Sequence, residues 1–419
     1  MQLPSRLPNI KMNMNINLGR RGGADVVGLD VQPGFVAAVK ARVNGSILAE
    51  EAASMPLPAD TVRDGEVMDQ DALGDVLREL FASSGMSKRV RVGVANQRTV
   101  LRTLELPPIT DRKELAAAVG FQAQEQVPMP LSNAVLDFHP LGIVDTPAGP
   151  RQRVVLVAAQ RDMVEKLLAA VRRAGLTPEG VDLSAFALIR SLYHADPDQT
   201  GRVLYLNVDG LTNLAIAEGE ICRFTRVVGS GLEGMAIELA ERRGIALVEA
   251  RSLLGGVDLT VEPPVPDTPA DAETAAQEPS GEESGEAGDG ESTVPEAAEQ
   301  PAPEDSMSYE EMVSVGEVSS AEADAEVLGV LENGIRDISG EVRNSLDFHR
   351  SQEGGGEVSH ILLSGSAQDI PGFAAALQTA LGVEVQSAQV GLVDGHVSDT
   401  VSPHRLAVAT GLAALEVPQ

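Results

Sequence analysis

Val26-Val27-Gly28-Leu29-Asp30-Val31, Leu204-Tyr205-Leu206-Asn207-Val208-Asp209-Gly210-Leu211-Thr212-Asn213 and Ile361-Leu362-Leu363-Ser364-Gly365-Ser366-Ala367 are aliphatic runs that stop at small or acidic residues. A buried strand has this form when it delivers a turn to a site. Helical stretches stand between such strands. Asp71 to Ser83, for example, sets Leu73, Val76, Leu77 and Leu80 on one stripe. Strands of this kind, separated by helices, predict an α/β chain.

At 419 residues the chain exceeds one compact core and predicts two or more domains. Hydrophobic residues make up 43% but aromatics only 3%, with no Trp, so the core must be Leu, Val, Ile and Ala. No aromatic platform for stacking bases is available. The formal net charge of −30 is localised: the interval between Arg251 and Arg336 has no Lys or Arg and carries 22 acidic residues. The remainder has 40 acids against 32 bases, a net of −8, which assembles no basic face for nucleic acid. Cys222 is the single cysteine, excluding an intramolecular disulfide and a thiolate metal cluster, and the six histidines show no ligand spacing. No apolar run approaches the roughly 18 residues of a membrane helix. Met1 to Leu18 lacks the apolar core of a signal peptide. The expectation is a cytoplasmic protein.

Residues 1–23 read as a flexible tail. A first lobe is expected from 24–97 together with 176–201 and 390–419. Within it, 98–175 reads as an inserted α+β unit. Its strand Thr99 to Leu106 leads to a helix capped by Asp111, carrying Leu115, Ala118 and Val119 with Phe121 nearby. Strands Ala134 to Phe138 and Arg153 to Ala158 follow, then a helix from Asp162 closed by Gly175. The second lobe is expected from 202–256 and 326–389. It opens with a hairpin, Val203 to Ala217 and Ile221 to Val227, and continues with helices from Leu232, Leu247 and Glu326. Residues 257–325, rich in Pro, Glu, Gly, Ser and Ala, cannot bury enough surface to offset their ordering entropy and read as a disordered acidic insertion.

The order and spacing of these segments resemble the actin-like superfamily, and within it the bacterial type IV pilus assembly PilM family; the FtsA cell-division family is a more distant likeness. The residues that carry the resemblance are Leu104-Glu105-Leu106-Pro107, Glu125-Gln126-Val127-Pro128, Val135-Leu136-Asp137-Phe138 and Ala174-Gly175-Leu176, then Phe224-Thr225-Arg226, Ser345-Leu346-Asp347-Phe348 and Ile370-Pro371-Gly372-Phe373. The resemblance implies a two-lobed actin-like fold, a duplicated ribonuclease H-like design, in which 98–175 is an SHS2-type subdomain. It also implies a partner: the cytoplasmic tail of a PilN-like inner-membrane protein, docked between the first lobe and the inserted subdomain. Through that partner the protein would meet the pilus motor complex and reach the membrane. Asn15-Ile16-Asn17-Leu18-Gly19-Arg20 in the tail resembles the motif of that partner.

ATP with Mg²⁺ is the cofactor the superfamily implies, and its turns are altered here. The candidate nucleotide-binding residues are Asp30, Gln32, Gly34, Asn207, Asp209, Gly210, Gly365 and Ser366. In the first turn Pro33 has no N–H to offer a phosphate, and Gln32 brings a side chain where close backbone approach is needed. In the second, Asn207 takes the place of a Mg²⁺-directed carboxylate and Asp209 puts negative charge where glycine should admit phosphate. A one-residue shift would instead align Asp209-Gly210 with the expected Asp and Gly. The expected function is a scaffold with weak or no nucleotide binding and no catalytic residue. An ATPase cycling with ATP and an FtsA-like filament protein are the alternatives.

Overall fold

The computed structural model describes residues 26–44, 46–194, 201–261, 320–352, 354–393 and 401–414. The expected tail at 1–23, with its Ile-Asn-Leu segment, and nearly all of the expected acidic insertion lie outside these residues. The elements below, apart from the first turn of the last long helix, belong to one compact unit drawn from the described residues up to 260 and from 325 onward.

The first lobe begins with β1 (Val27–Gln32), β2 (Phe35–Val43) and β3 (Ile47–Pro56), an antiparallel meander. A small hairpin, β4 (Val62–Arg63) and β5 (Glu66–Val67), leads to α1 (Gln70–Ser84). Asp69 caps α1 by accepting from the amides of Asp71 and Ala72, and the chain leaves through Gly85 in the left-handed region. β6 (Arg89–Val94) then pairs parallel to β1.

The inserted unit follows: β7 (Val100–Leu106), α2 (Arg112–Gln126), β8 (Ala134–Thr146) and β9 (Gly149–Gln160). Its sheet runs β7-β9-β8 and is antiparallel throughout. The alternation of strand side chains gives the sheet two apolar faces. Leu104, Leu106, Val154, Leu156 and Ala158 form a core with Leu115, Val119 and Ala123 of α2. Val135, Val155, Val157 and Ala159 turn the other way, into the first-lobe core. Phe121 stands outside both, 69% exposed.

One expected boundary moves. The helix from Asp162, assigned above to the inserted unit, is α3 (Arg161–Arg173), and its Met163, Val164, Leu167, Leu168, Ala170 and Val171 belong to the first-lobe core. The apolar stripe of α3 packs on α1, so the inserted core closes at the end of β9. The chain continues through β10 (Thr177–Leu183), parallel to β6, and α4 (Ser184–Leu192).

The second lobe has β11 (Arg202–Val208), β12 (Thr212–Glu218) and β13 (Ile221–Val228), again an antiparallel meander. The arm expected from Val203 to Ala217 is thus two strands around a turn at 209–211. Helices α5 (Leu232–Arg243), α6 (Leu247–Gly255) and α7 (Ser320–Ser351) follow, with α7 laying Val327, Val330, Leu331, Ile335, Ile338 and Val342 into the second core. β14 (Val358–Ser364) pairs parallel to β11, and after α8 (Phe373–Leu381) β15 (Val385–Ser387) pairs parallel to β14. The chain returns to the first lobe with β16 (Gly391–Leu392), beside β3, and α9 (Ala407–Ala413).

The two large sheets share one topology. The first runs β10-β6-β1-β2-β3-β16 and the second β13-β12-β11-β14-β15. In each, a three-stranded meander is extended by two parallel strands on the side of its own first strand. The fold is duplicated.

Packing ties α9 firmly into the first lobe. A Cβ on Gly411 would lie 1.9 Å from the carbonyl oxygen of Ala187 in α4, so the two helices meet backbone to backbone. Arg91, 4% exposed on β6, donates to the carbonyl oxygen of Leu412 at 2.7 Å, and Arg190 to that of Gly411 at 2.7 Å. These cations meet helix-end carbonyls that lack intrahelical partners. Gly411→Ala should lower unfolding free energy by about 1–3 kcal/mol, the usual penalty for overpacking, as read from urea denaturation. A midpoint equal to that of the parent would show that the α4–α9 contact yields without cost.

Candidate functional site

The ends of β1, β11 and β14 converge. The turns after β1 and β11 lie back to back: a Cβ on Gly210 would sit 2.1 Å from the carbonyl oxygen of Pro33. Gly365 follows β14 at φ 95°, a left-handed backbone that favours glycine. Gly231, in the glycine turn before α5, closes on Gly210 in the same manner, its Cβ position 2.5 Å from the Gly210 carbonyl oxygen.

Beneath these turns lies a layer of buried polar side chains. Asp30, Gln32, Asn207, Asp209, Ser364 and Ser366 are each at most 6% exposed. Asp209 Oδ1 accepts from the Ser366 amide at 2.7 Å and from Ser366 Oγ at 2.6 Å, while Oδ2 accepts from Asn207 Nδ2 at 2.9 Å. Asn207 Oδ1 in turn accepts from Ser364 Oγ at 2.9 Å. Both oxygens of Asp209 are therefore spent inside the protein. Gln32 folds back so that Nε2 donates to the Asp30 carboxylate at 3.1 and 3.2 Å, leaving its own buried Oε1 without a partner.

Burial dominates the electrostatics of this layer. It pushes the Asp30 carboxyl up to about 7, with the charge of Asp209 adding to the effect. Burial also raises Asp209, against the lowering influence of the Arg405 charge and of its hydrogen bonds from Ser366 and Asn207.

Above the layer opens a cleft of about 500 Å³ between the lobes. Of the eight residues nominated from sequence, Gly34, Gly210 and Ser366 line it. Asp30, Gln32, Asn207 and Asp209 form the floor behind the lining, and Gly365 contributes backbone. The Gln32 side chain is thus turned away from the position expected for it. Sequence reasoning missed the cleft's charged walls, Glu233 of α5, Arg251 of α6, and Asp369 and Arg405 of the short 3-10 helices before α8 and α9. They come from four separate segments, and no local motif marks them.

A nucleotide carrying Mg²⁺ is the group this fold family implies, and the floor does not suit it. Pro33 has no N–H, the Ser366 amide is taken by Asp209, and neither buried carboxylate presents a free oxygen pair to the cleft. Among the described residues no group of three or more His, Cys, Asp or Glu is placed to hold a metal ion.

A second opening, a groove of about 70 Å³, lies where α4, the inserted unit and the β12–β13 turn meet. Leu141 and Val155 come from the inserted unit, Phe186, Ile189 and Tyr193 from α4 and its end, and Ile221 and Cys222 from β13. Arg190, Glu220 and His139 add polar groups. Burial pushes the Cys222 thiol up to about 12 and lowers the His139 imidazole, so both are neutral at pH 7. The groove is apolar and chemically quiet.

The raised Asp30 carboxyl has a measurable sign. The native state holds a proton that the unfolded chain has released between about pH 4 and pH 7, so stability falls as pH rises through that window. Asp30→Asn should be more stable than the parent at pH 8, by up to ~4 kcal/mol for a shift of about three pKa units, and this gain should vanish near pH 3.5. Denaturant titrations at the two pH values measure it. A difference that stays constant with pH would mean that Asp30 is ionised throughout.

Residues 28–227 match the family model described as type IV pilus assembly protein PilM. Among solved structures, the one titled PilM-PilN type IV pilus biogenesis complex superposes with a TM-score of 0.65 at 20% identity, covering 93% of this chain and 98% of that chain. Ethanolamine utilization protein EutJ from Carboxydothermus hydrogenoformans gives a TM-score of 0.47 at 13% identity, covering 94% of this chain and 90% of its own. MreB5 of Spiroplasma citri bound to ADP gives 0.43 at 12%, covering 92% and 94%. The first of these superpositions and the duplicated sheets establish a two-lobed actin-like fold. With the family match over the first lobe, the inserted unit and the start of the second lobe, the chain is similar over residues 28–227 to the type IV pilus assembly protein PilM family.

Proposed function

We propose that this protein is a docking scaffold of type IV pilus assembly that does not turn over nucleotide. It holds a short apolar segment of an inner-membrane, PilN-like partner in the groove between α4 and the inserted unit. The groove itself carries the reading: its walls come from separate elements of the fold, are mostly aliphatic or aromatic, and contain no group poised for chemistry. The related solved structure, by its title, is of a PilM-PilN complex. Aliphatic side chains entering such a groove contribute roughly 1.5–3 kcal/mol each when fully buried, so two or three anchors suffice for a specific peptide. Glu220 at the same groove gives a polar partner for the peptide backbone.

No helix among the described residues is long and apolar enough to cross a membrane. In this reading the protein lies in the cytoplasm at the inner face of the membrane, held there by the partner and coupling it to the pilus motor. The cleft supports the non-catalytic side of this reading, since the carboxylate most exposed to comparison with an ATPase, Asp209, is consumed by Ser366 and Asn207.

Titration with a peptide from the cytoplasmic tail of the partner tests the docking. Leu141→Asp and Phe186→Ala alter half-buried groove walls, and each should weaken binding at least tenfold while the melting temperature stays near that of the parent. Unchanged affinity in both folded variants would remove the groove as the docking site. ATP hydrolysis should not exceed the buffer rate; Mg²⁺-dependent turnover abolished by Asp30→Ala would establish an ATPase instead.

A further inference from the structure

A small cavity of about 10 Å³ lies where three parts of the chain meet. The end of β6, β10 and α4 wall it from the first lobe, and β12 and β13 from the second. Thr99, the residue before β7, brings the root of the inserted unit to the same place. Most polar side chains around the cavity are matched. Asn96 donates from Nδ2 to the Asp64 carbonyl oxygen at 2.6 Å, and its Oδ1 accepts from the Arg98 amide at 2.7 Å. Thr225 Oγ1 donates to the Leu214 carbonyl oxygen at 3.0 Å, and Arg226 pairs with Glu341 at 2.7 Å.

Two residues are not matched. Asn213 of β12 is 2% exposed, and neither its Nδ2 nor its Oδ1 has a hydrogen-bond partner among the described residues. The buried Thr99 Oγ1 has none either. Buried polar side chains are nearly always hydrogen-bonded, and leaving them unpaired is costly. Here three such atoms line one cavity, contributed by two segments that are distant in sequence. The remaining walls are aliphatic.

We propose that Asn213 and Thr99 hold one buried water, which joins the root of the inserted unit to the second lobe. A cavity of this size takes a single water and nothing larger. The chemistry of the lining selects the same occupant. A carboxamide presents a donor and an acceptor side by side, so a cation is opposed by Nδ2 and an anion by Oδ1. Water donates to Oδ1, accepts from Nδ2 and keeps a second hydrogen for Thr99 Oγ1. Three hydrogen bonds are the usual complement of a buried water, and such a bridge is nearly as favourable as a direct bond. The inserted unit is therefore fastened at its entrance by a polar joint as well as by the apolar face of its sheet. This inference is independent of peptide docking and of the interlobe cleft, so the variants of either can fail without affecting it.

A crystal structure of the full chain, at a resolution that shows ordered water, tests the assignment directly. One peak is expected within hydrogen-bond distance of Asn213 Nδ2, Asn213 Oδ1 and Thr99 Oγ1. The absence of a peak, a peak at metal-ligand distance, or an Asn213 side chain rotated onto protein partners would overturn it. In solution, Asn213→Leu, Thr99→Val and the double variant are compared by urea denaturation. Each single change leaves the other side chain polar beside a site that no longer holds its water. The double change removes both, so its midpoint should fall by less than the two single falls added together. Strictly additive falls would show that the two residues share no water. If Asn213→Leu fails to fold, the crystal structure decides alone.

Discussion

Where β1 and β11 end, two backbones touch with no side chain between them. The Cβ position of Gly210 falls 2.1 Å from the carbonyl oxygen of Pro33, and Gly231 closes on Gly210 from the far side. This contact sets how closely the lobes approach, and the buried polar layer exists because of it. Side chains that would otherwise point into an open cleft are folded down: Gln32 onto Asp30, and Asp209 onto Asn207 and Ser366. A floor built this way is satisfied internally and has little left to offer a ligand. Buried carboxyls hold their charge only at a cost, which explains why Asp30 keeps its proton to near-neutral pH.

Duplication makes the asymmetry of the floor visible. Both sheets extend a meander by two parallel strands, yet the first meander turns on two residues, Pro33-Gly34, and the second on three, 209–211. The extra residue puts Asp209 inside the turn, whereas Asp30 remains within its strand. One carboxylate thus meets the donors after β14, and the other meets Gln32 and the Val31 amide. The same architecture, repeated, presents two different acids.

Much of this was legible in the chain. The strand ends at Asp30, Asn207 to Gly210 and Gly365 read correctly as turns that meet at one place, because buried aliphatic runs ending in small residues leave few other options. The helix capped by Asp111 and the stripe of α1 were equally plain. β3 was not, since Glu50-Glu51-Ala52-Ala53 has helical composition and becomes a strand only through pairing with β2. α3 was assigned to the wrong core because its stripe says that it packs, not against which sheet. At the site, the floor was readable from local motifs and the walls were not: Glu233, Arg251, Asp369 and Arg405 are brought together only by tertiary folding. Hydrogen bonding reversed one expectation at atomic detail, turning the Gln32 amide inward to a carboxyl that sequence could not pair with it.

β12 has a role that neither opening reveals alone. Its first residue, Thr212, leaves the turn at the cleft floor, and its last, Glu218, enters the turn whose far side, Glu220 to Cys222, walls the apolar groove. Seven residues of extended backbone make a beam of roughly 23 Å, braced along both edges by β11 and β13. α4 packs across that beam from the first lobe. The cleft floor and the wall of the apolar groove are therefore the two ends of one braced strand.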